Sequence, residues 1–245
     1  AATTITHSGT GSLTVNQGPA AQTVTASGTG ALTYTAGTGV SSVTGSSGND
    51  RFVFAGNLLT TDTVAGGEGT DTLSILGDTG VTAALTLVSG IETLETTTEA
   101  AADTIDLSFF TDAISTVNAV LDTNNTTLTL TDSQAGTYGV STEATGATAI
   151  TLTGLTVDLL DATGSSDEIT INLNNTQDDT ANALTVTTLT ANDIETITIN
   201  ADSNSGTSTS VADDVTVTAL AADDITTLNI TGDADFTITG ALGGA

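Results

Sequence analysis

The chain has 245 residues and sets 29 acidic groups against a single basic one, Arg51, for a formal charge of −28. With nothing to neutralise phosphate, nucleic acid is excluded as a partner and an anionic membrane surface is disfavoured. Apolar residues make up 38 % but aromatics only 3 %, and cysteine is absent; no apolar run reaches the roughly 18 residues that a membrane helix needs.

In chain order, the first signal is a repeat. Ser8–Val15 (SGTGSLTV) recurs 19 residues later as Ser27–Tyr34 (SGTGALTY). The single proline, Pro19, falls in the turn between these two units. Apolar residues that open the next strands are Phe52, Leu73 and Leu94, at spacings of about 20 residues. That period is one coil of a parallel β-helix, with two or three short strands and the turns between them. The stretch Leu107–Leu121 holds the one hint of a helical turn, with Asp112 as the cap of Ala113-Ile114, while Phe109 and Phe110 are expected to fill a wider part of the core. A bend is expected near residues 100–125. Strand-like stretches follow at Thr127–Thr131, Ala149–Thr153 and Ile169–Leu173. A second echo closes the chain: Leu184–Thr187 and Asp193–Ile199 match Val215–Thr218 and Asp224–Ile230 at a shift of 31. Almost every strand alternates threonine with Val, Ile or Leu. That is period two, with the aliphatic residue inward and threonine outward. Branched β-carbons suit this pleated surface. The expectation is an all-β fold: one continuous β-solenoid over residues 1–245, a right-handed parallel β-helix with coils of about 20 residues.

The sharpest motif is Gly66-Gly67-Glu68-Gly69-Thr70-Asp71-Thr72-Leu73-Ser74, which fits the calcium-binding nonapeptide G-G-x-G-x-D-x-U-x throughout. Gly45-Ser46-Ser47-Gly48-Asn49-Asp50-Arg51-Phe52-Val53 fits all but the second glycine. Calcium takes six to eight oxygens, and glycine lets turn carbonyls point at an ion. Stacked turns lie about 4.8 Å apart, so two of them can share one ion. Asp50 and Asp71 would supply charge, and Asp62 is a candidate partner on the opposite turn. The competing reading is that these aspartates close Asx-turns on their own backbone. Acidic or amide pairs also precede strands at Asp167-Glu168, Asn192-Asp193, Asp213-Asp214 and Asp223-Asp224, and Asp178-Asp179 lies in a polar loop. They bind calcium or they are solvated turns. The Thr-x-Thr tripeptides at residues 33–35, 129–131, 151–153, 185–187, 216–218 and 237–239 suggest outward ladders of the kind that contact ice, but they do not recur at one period. Catalysis is not expected: His7 is the only histidine, there is no cysteine nucleophile, and Arg51 stands alone, facing outward in front of Phe52.

The order Gly48–Val53, Gly66–Leu73, then Gly90-Ile91-Glu92-Thr93-Leu94 resembles the repeats-in-toxin (RTX) S-layer proteins of Gram-negative bacteria, as does Ala222–Ala234. The resemblance is at the level of motif over about residues 45–95 and of composition elsewhere. It implies a calcium-bound β-helix, type I secretion to the cell surface and self-assembly into a lattice. The ligands it implies are Gly45, Ser47 and Asp50 with Gly67, Gly69 and Asp71. The chain departs from that class in lacking a dense run of nonapeptides and an evident anchor; it is read as part of a longer protein, with any contact to cell-surface polysaccharide made by other regions. The expected function is a structural subunit of a calcium-dependent extracellular layer. The alternative is a stalk or binding segment of a secreted RTX adhesin, touching glycan, a host surface or ice.

Overall fold

The computed structural model describes residues 3–77, 85–97, 102–111, 113–121, 125–134, 136–142, 149–175, 183–203, 214–240 and 242. The strands lie in parallel sheets of five, ten and six members. The fold is a parallel β-solenoid, as the period-two alternation predicts. Two compact units are formed, one by residues 1–97 with 107–115, the other by residues 98–106 with 116–245.

In the first unit, strands alternate between two sheets as the chain winds. One sheet holds β1 (Thr3–His7), β3 (Gln22–Ala26), β5 (Ser41–Thr44), β7 (Thr63–Ala65) and β9 (Val88–Ser89); the other receives β2 (Leu13–Asn16), β4 (Leu32–Thr35), β6 (Arg51–Ala55), β8 (Thr72–Leu76) and β10 (Thr93–Thr97). Val24, Val43, Val64 and Val88 pair in register and form one inner column, all buried. Phe52, Leu73 and Leu94 form another. Each such side chain removed from water contributes about 1.5–3 kcal/mol, and only if the coils above and below are present. One spacing differs from the sequence count. Phe52 sits on Tyr34, not on Leu32. The rung beside Leu32 belongs to Asp50, whose Oδ1 accepts the Leu32 N–H at 2.6 Å.

A 3-10 turn occupies Leu107–Phe109. Phe110 is buried beside Leu85, with which it bridges, while Phe109 is half-buried. Asp112, the expected cap, lies outside the described residues. Arg51 faces outward, as expected, and it has a partner that the sequence did not indicate. Its guanidinium forks onto the Glu95 carboxylate, and Ser74 Oγ donates to the same carboxylate at 3.0 Å. Burial pushes the Glu95 carboxyl up, but the Arg51 hydrogen bond and charge, helped by Ser74, hold it below the ordinary range.

The second unit holds β12 (Thr116–Leu121), β14 (Thr137–Thr142), β16 (Glu168–Asn175), β18 (Thr196–Ser203) and β20 (Thr227–Thr231) in one sheet. A six-stranded sheet contains β11 (Asp103–Asp106), β13 (Asn125–Ser133), β15 (Ile150–Leu159), β17 (Leu184–Thr190), β19 (Val215–Ala221) and β21 (Phe236–Ile238). The 31-residue echo is a true register: Leu184 pairs with Val215, and Ile197 with Leu228. Thr151, Thr185, Thr216 and Thr237 also fall in one outward file, although their spacings along the chain are unequal. The strands keep register across these unequal spacings, so a constant period is not needed for a threonine ladder.

Candidate metal centre in the glycine-rich turns

The two nonapeptides stack as their spacing requires. Asp50 and Asp71 are 2 % and 0 % exposed. The Thr72 N–H donates to the Asp50 carbonyl at 2.9 Å, which sets one motif on the other. The aspartates point into the solenoid wall. Asp71 Oδ1 accepts the Asp50 N–H at 2.7 Å, and one coil further on a Glu92 oxygen accepts the Asp71 N–H at 2.8 Å. Three acids therefore occupy one file at intervals of 21 residues.

Glycine is required beside this file. A methyl group on Gly45 would lie 2.0 Å from the Gly66 carbonyl oxygen and 2.3 Å from Asp50 Oδ2. On Gly66 it would lie 1.7 Å from the Gly90 carbonyl oxygen and 2.4 Å from Asp71 Oδ2. In each gap between turns, a carbonyl and a carboxylate oxygen thus crowd one small volume that only a missing side chain leaves open. Gly67 and Gly69 adopt φ of 115° and 119°, a region that L side chains rarely adopt. They sit over the carbonyls of Ser46 and Gly48 respectively. The Ser47 N–H donates to the Gly28 carbonyl at 3.0 Å.

The two aspartates differ in one respect. Asp50 Oδ2 accepts the Ser46 N–H, and Asp50 Oδ1 also receives Ser46 Oγ at 2.9 Å. Asp50 is fully used, partly in the local turn closure that the competing reading foresees. Asp71 Oδ2 is buried and has no hydrogen-bond partner. Leaving a carboxylate oxygen in that state is costly. Burial pushes the Asp71 carboxyl up to about 6; the Asp50 N–H pulls it down, while the charges of Asp50 and Glu92 add to the rise. The donor set is all oxygen and carries net negative charge, which suits a hard divalent cation such as calcium.

Asp62 belongs to a different cluster. Its Oδ1 accepts the Ser41 N–H at 2.7 Å and its Oδ2 the Leu59 N–H at 2.8 Å. Ser41 Oγ, Tyr34 OH and Gln17 complete a buried network there, with Tyr34 OH donating to Gln17 Oε1 at 2.6 Å. That network has no sequence signature, because its members come from three coils and no two share a motif. Glu92 and Gly90 are likewise outside the nonapeptide. Glu92 follows Asp50 and Asp71 at the same interval of 21, and both Gly90 and Glu92 fall in the Gly90–Leu94 stretch that the resemblance covers, though not as ligands.

In the second unit, Asp193, Asp223 and Asp224 offer carboxylate oxygens within 4.8 Å of one another, all exposed. Burial raises the Asp193 carboxyl, followed by Asp223, Asp224 and Asp158. Asp167 instead donates its N–H to Glu195 at 2.8 Å. The Asp214 carbonyl accepts the Leu184 N–H at 3.0 Å. Asp213 and the Asp178-Asp179 pair lie outside the described residues.

No family model, no curated protein and no solved structure matches this chain. Among the described residues no helix is long and apolar enough to cross a membrane, a statement that does not bear on strands.

Proposed function

We propose that the chain is a structural segment of an extracellular, calcium-dependent surface layer of the RTX S-layer type, which assembles with copies of itself. The observation that carries this is Asp71: a fully buried carboxylate with one oxygen unpartnered, set among glycine turns in a chain with a single basic residue. A divalent cation between the 45–50 and 66–71 turns turns mutual repulsion into ligation. It also ties folding to a compartment rich in calcium, which fits export of an unfolded chain and folding outside the cell. The role is mechanical, not catalytic.

The test is a calcium titration into chelator-treated protein, followed by circular dichroism and negative-stain electron microscopy of the same samples. Strand signal and ordered sheets or filaments appearing together with calcium support the reading. Folding that ignores calcium sinks it.

The in-register threonine file on the six-stranded sheet favours a second reading, an adhesin segment that contacts glycan, a host surface or ice through that face. Calcium-dependent folding without any assembly, together with binding to such a surface, would select it.

A further inference from the structure

We infer that the gap between the 66–71 turn and the turn at residues 90–92 holds a divalent cation of its own, ligated by Asp71 Oδ2, the Gly90 carbonyl and Glu92. The inference rests on calcium binding in the glycine turns and adds a second ion, one coil beyond the nonapeptides.

Two successive gaps are built alike. The lower is lined by Asp50 Oδ2, the Gly66 carbonyl and Asp71; the upper by Asp71 Oδ2, the Gly90 carbonyl and Glu92. In each, the acid of the following coil accepts the N–H of the acid below, at 2.7 Å and 2.8 Å. In each, the following carbonyl and the lower acid's outer oxygen crowd the same glycine. Glu92 thus stands where a third motif aspartate would stand, with one more methylene of reach.

The difference lies in what the protein provides for the outer oxygen. In the lower gap the Ser46 N–H satisfies Asp50 Oδ2. In the upper gap the equivalent residue is Gly67, at φ 115°, and Asp71 Oδ2 has no donor although Asp71 is 0 % exposed. A buried anionic oxygen beside a second carboxylate and a carbonyl calls for a cation from outside the chain. The upper gap needs an ion more than the lower one does.

The experiment is isothermal titration of calcium into the chelator-treated full chain, comparing Glu92→Gln and Asp50→Asn with wild type. Glu92→Gln keeps an oxygen for the Asp71 N–H and removes the charge. The expected result is one fewer ion per chain in Glu92→Gln, with the circular dichroism at saturating calcium unchanged. If that variant fails to fold, Glu92→Asp is titrated instead and is expected to weaken one site by about tenfold. If the glutamate variant that folds binds as wild type while Asp50→Asn loses an ion, the second site is wrong and calcium in the nonapeptide turns stands. If wild type binds no calcium at all, both readings fall together.

Discussion

The two units solve one problem, what to do with carboxylates, in different ways. In the first unit Asp50, Asp62 and Asp71 are buried and take main-chain N–H groups as partners. In the second, Asp193, Asp223 and Asp224 gather on the surface, where Asp223 Oδ1 accepts the Asp193 N–H at 3.3 Å. The first arrangement makes an acid part of the wall and leaves Asp71 Oδ2 buried without a hydrogen-bond partner. The second keeps this exposed cluster clear of the core, while other acids there do enter the wall: Asp103 is buried, and Glu195 and Asp233 accept the N–H groups of Asp167 and Ser203. Asp50 and Asp71 are buried, and the file they form with Glu92 is where calcium is proposed.

The sharpest way to break that contrast is with glycines. Gly66→Ala drives a methyl into the Gly90 carbonyl and Asp71 Oδ2, and is expected to destabilise the folded protein by about 3 kcal/mol or more in urea unfolding at fixed calcium. Gly136→Ala in the second unit meets nothing within 4 Å and should change stability by less than about 0.5 kcal/mol. Equal effects would show that the turn packing around Asp71 is not the tight point.

A smaller effect is expected from pH. The Asp71 carboxyl is raised from 3.8 to about 6 in the folded chain, in contact with Asp50 and Glu92. Between these values the folded state holds a proton that the unfolded state has lost. Its stabilising contribution is thus complete below about 3.8 and fades as pH rises through about 6. At the lowest calcium concentration that keeps the strand signal, the melting temperature should fall across that window. Asp71→Asn should flatten the fall, whereas Asp193→Asn, on the surface, should leave it in place. A slope unchanged in Asp71→Asn would move the titration to another group.

The smallest effect belongs to the lone cation. Arg51 is 41 % exposed, and its pair with Glu95 is discounted accordingly. Arg51→Ala should cost no more than about 1 kcal/mol, read from the denaturation midpoint. A larger loss would mean that the fork over Ser74 organises the wall.

The solenoid was legible because its code is local: alternation fixes which side of a strand is buried, and turn residues fix where strands stop. Asp50 and Asp71 were legible through the glycine pattern that surrounds them. Register was harder. Phe52 falls on Tyr34 because Asp50 takes the rung beside Leu32, a hydrogen bond between residues 18 apart that alternation does not encode. The threonine file was hidden for a related reason, since its members lie at unequal distances along the chain yet share one register. The pairing of Arg51 with Glu95, two coils away, is invisible until the coils are stacked.

One detail of the acid file reaches further. Asp50 binds the N–H of Leu32, Asp71 that of Asp50, and Glu92 that of Asp71; Asp62 does the same for Ser41, Glu195 for Asp167 and Asp233 for Ser203. In every one of these contacts the later coil completes the earlier. These acid contacts have a direction, like zip teeth that lean one way, although the amide oxygens of Gln17 and Asn49 accept from Gly37 and Thr70 of later coils. Removing the coil that carries Glu92 would strip the Asp71 N–H of its acceptor, whereas removing the coil that carries Asp50 would leave that bond in place.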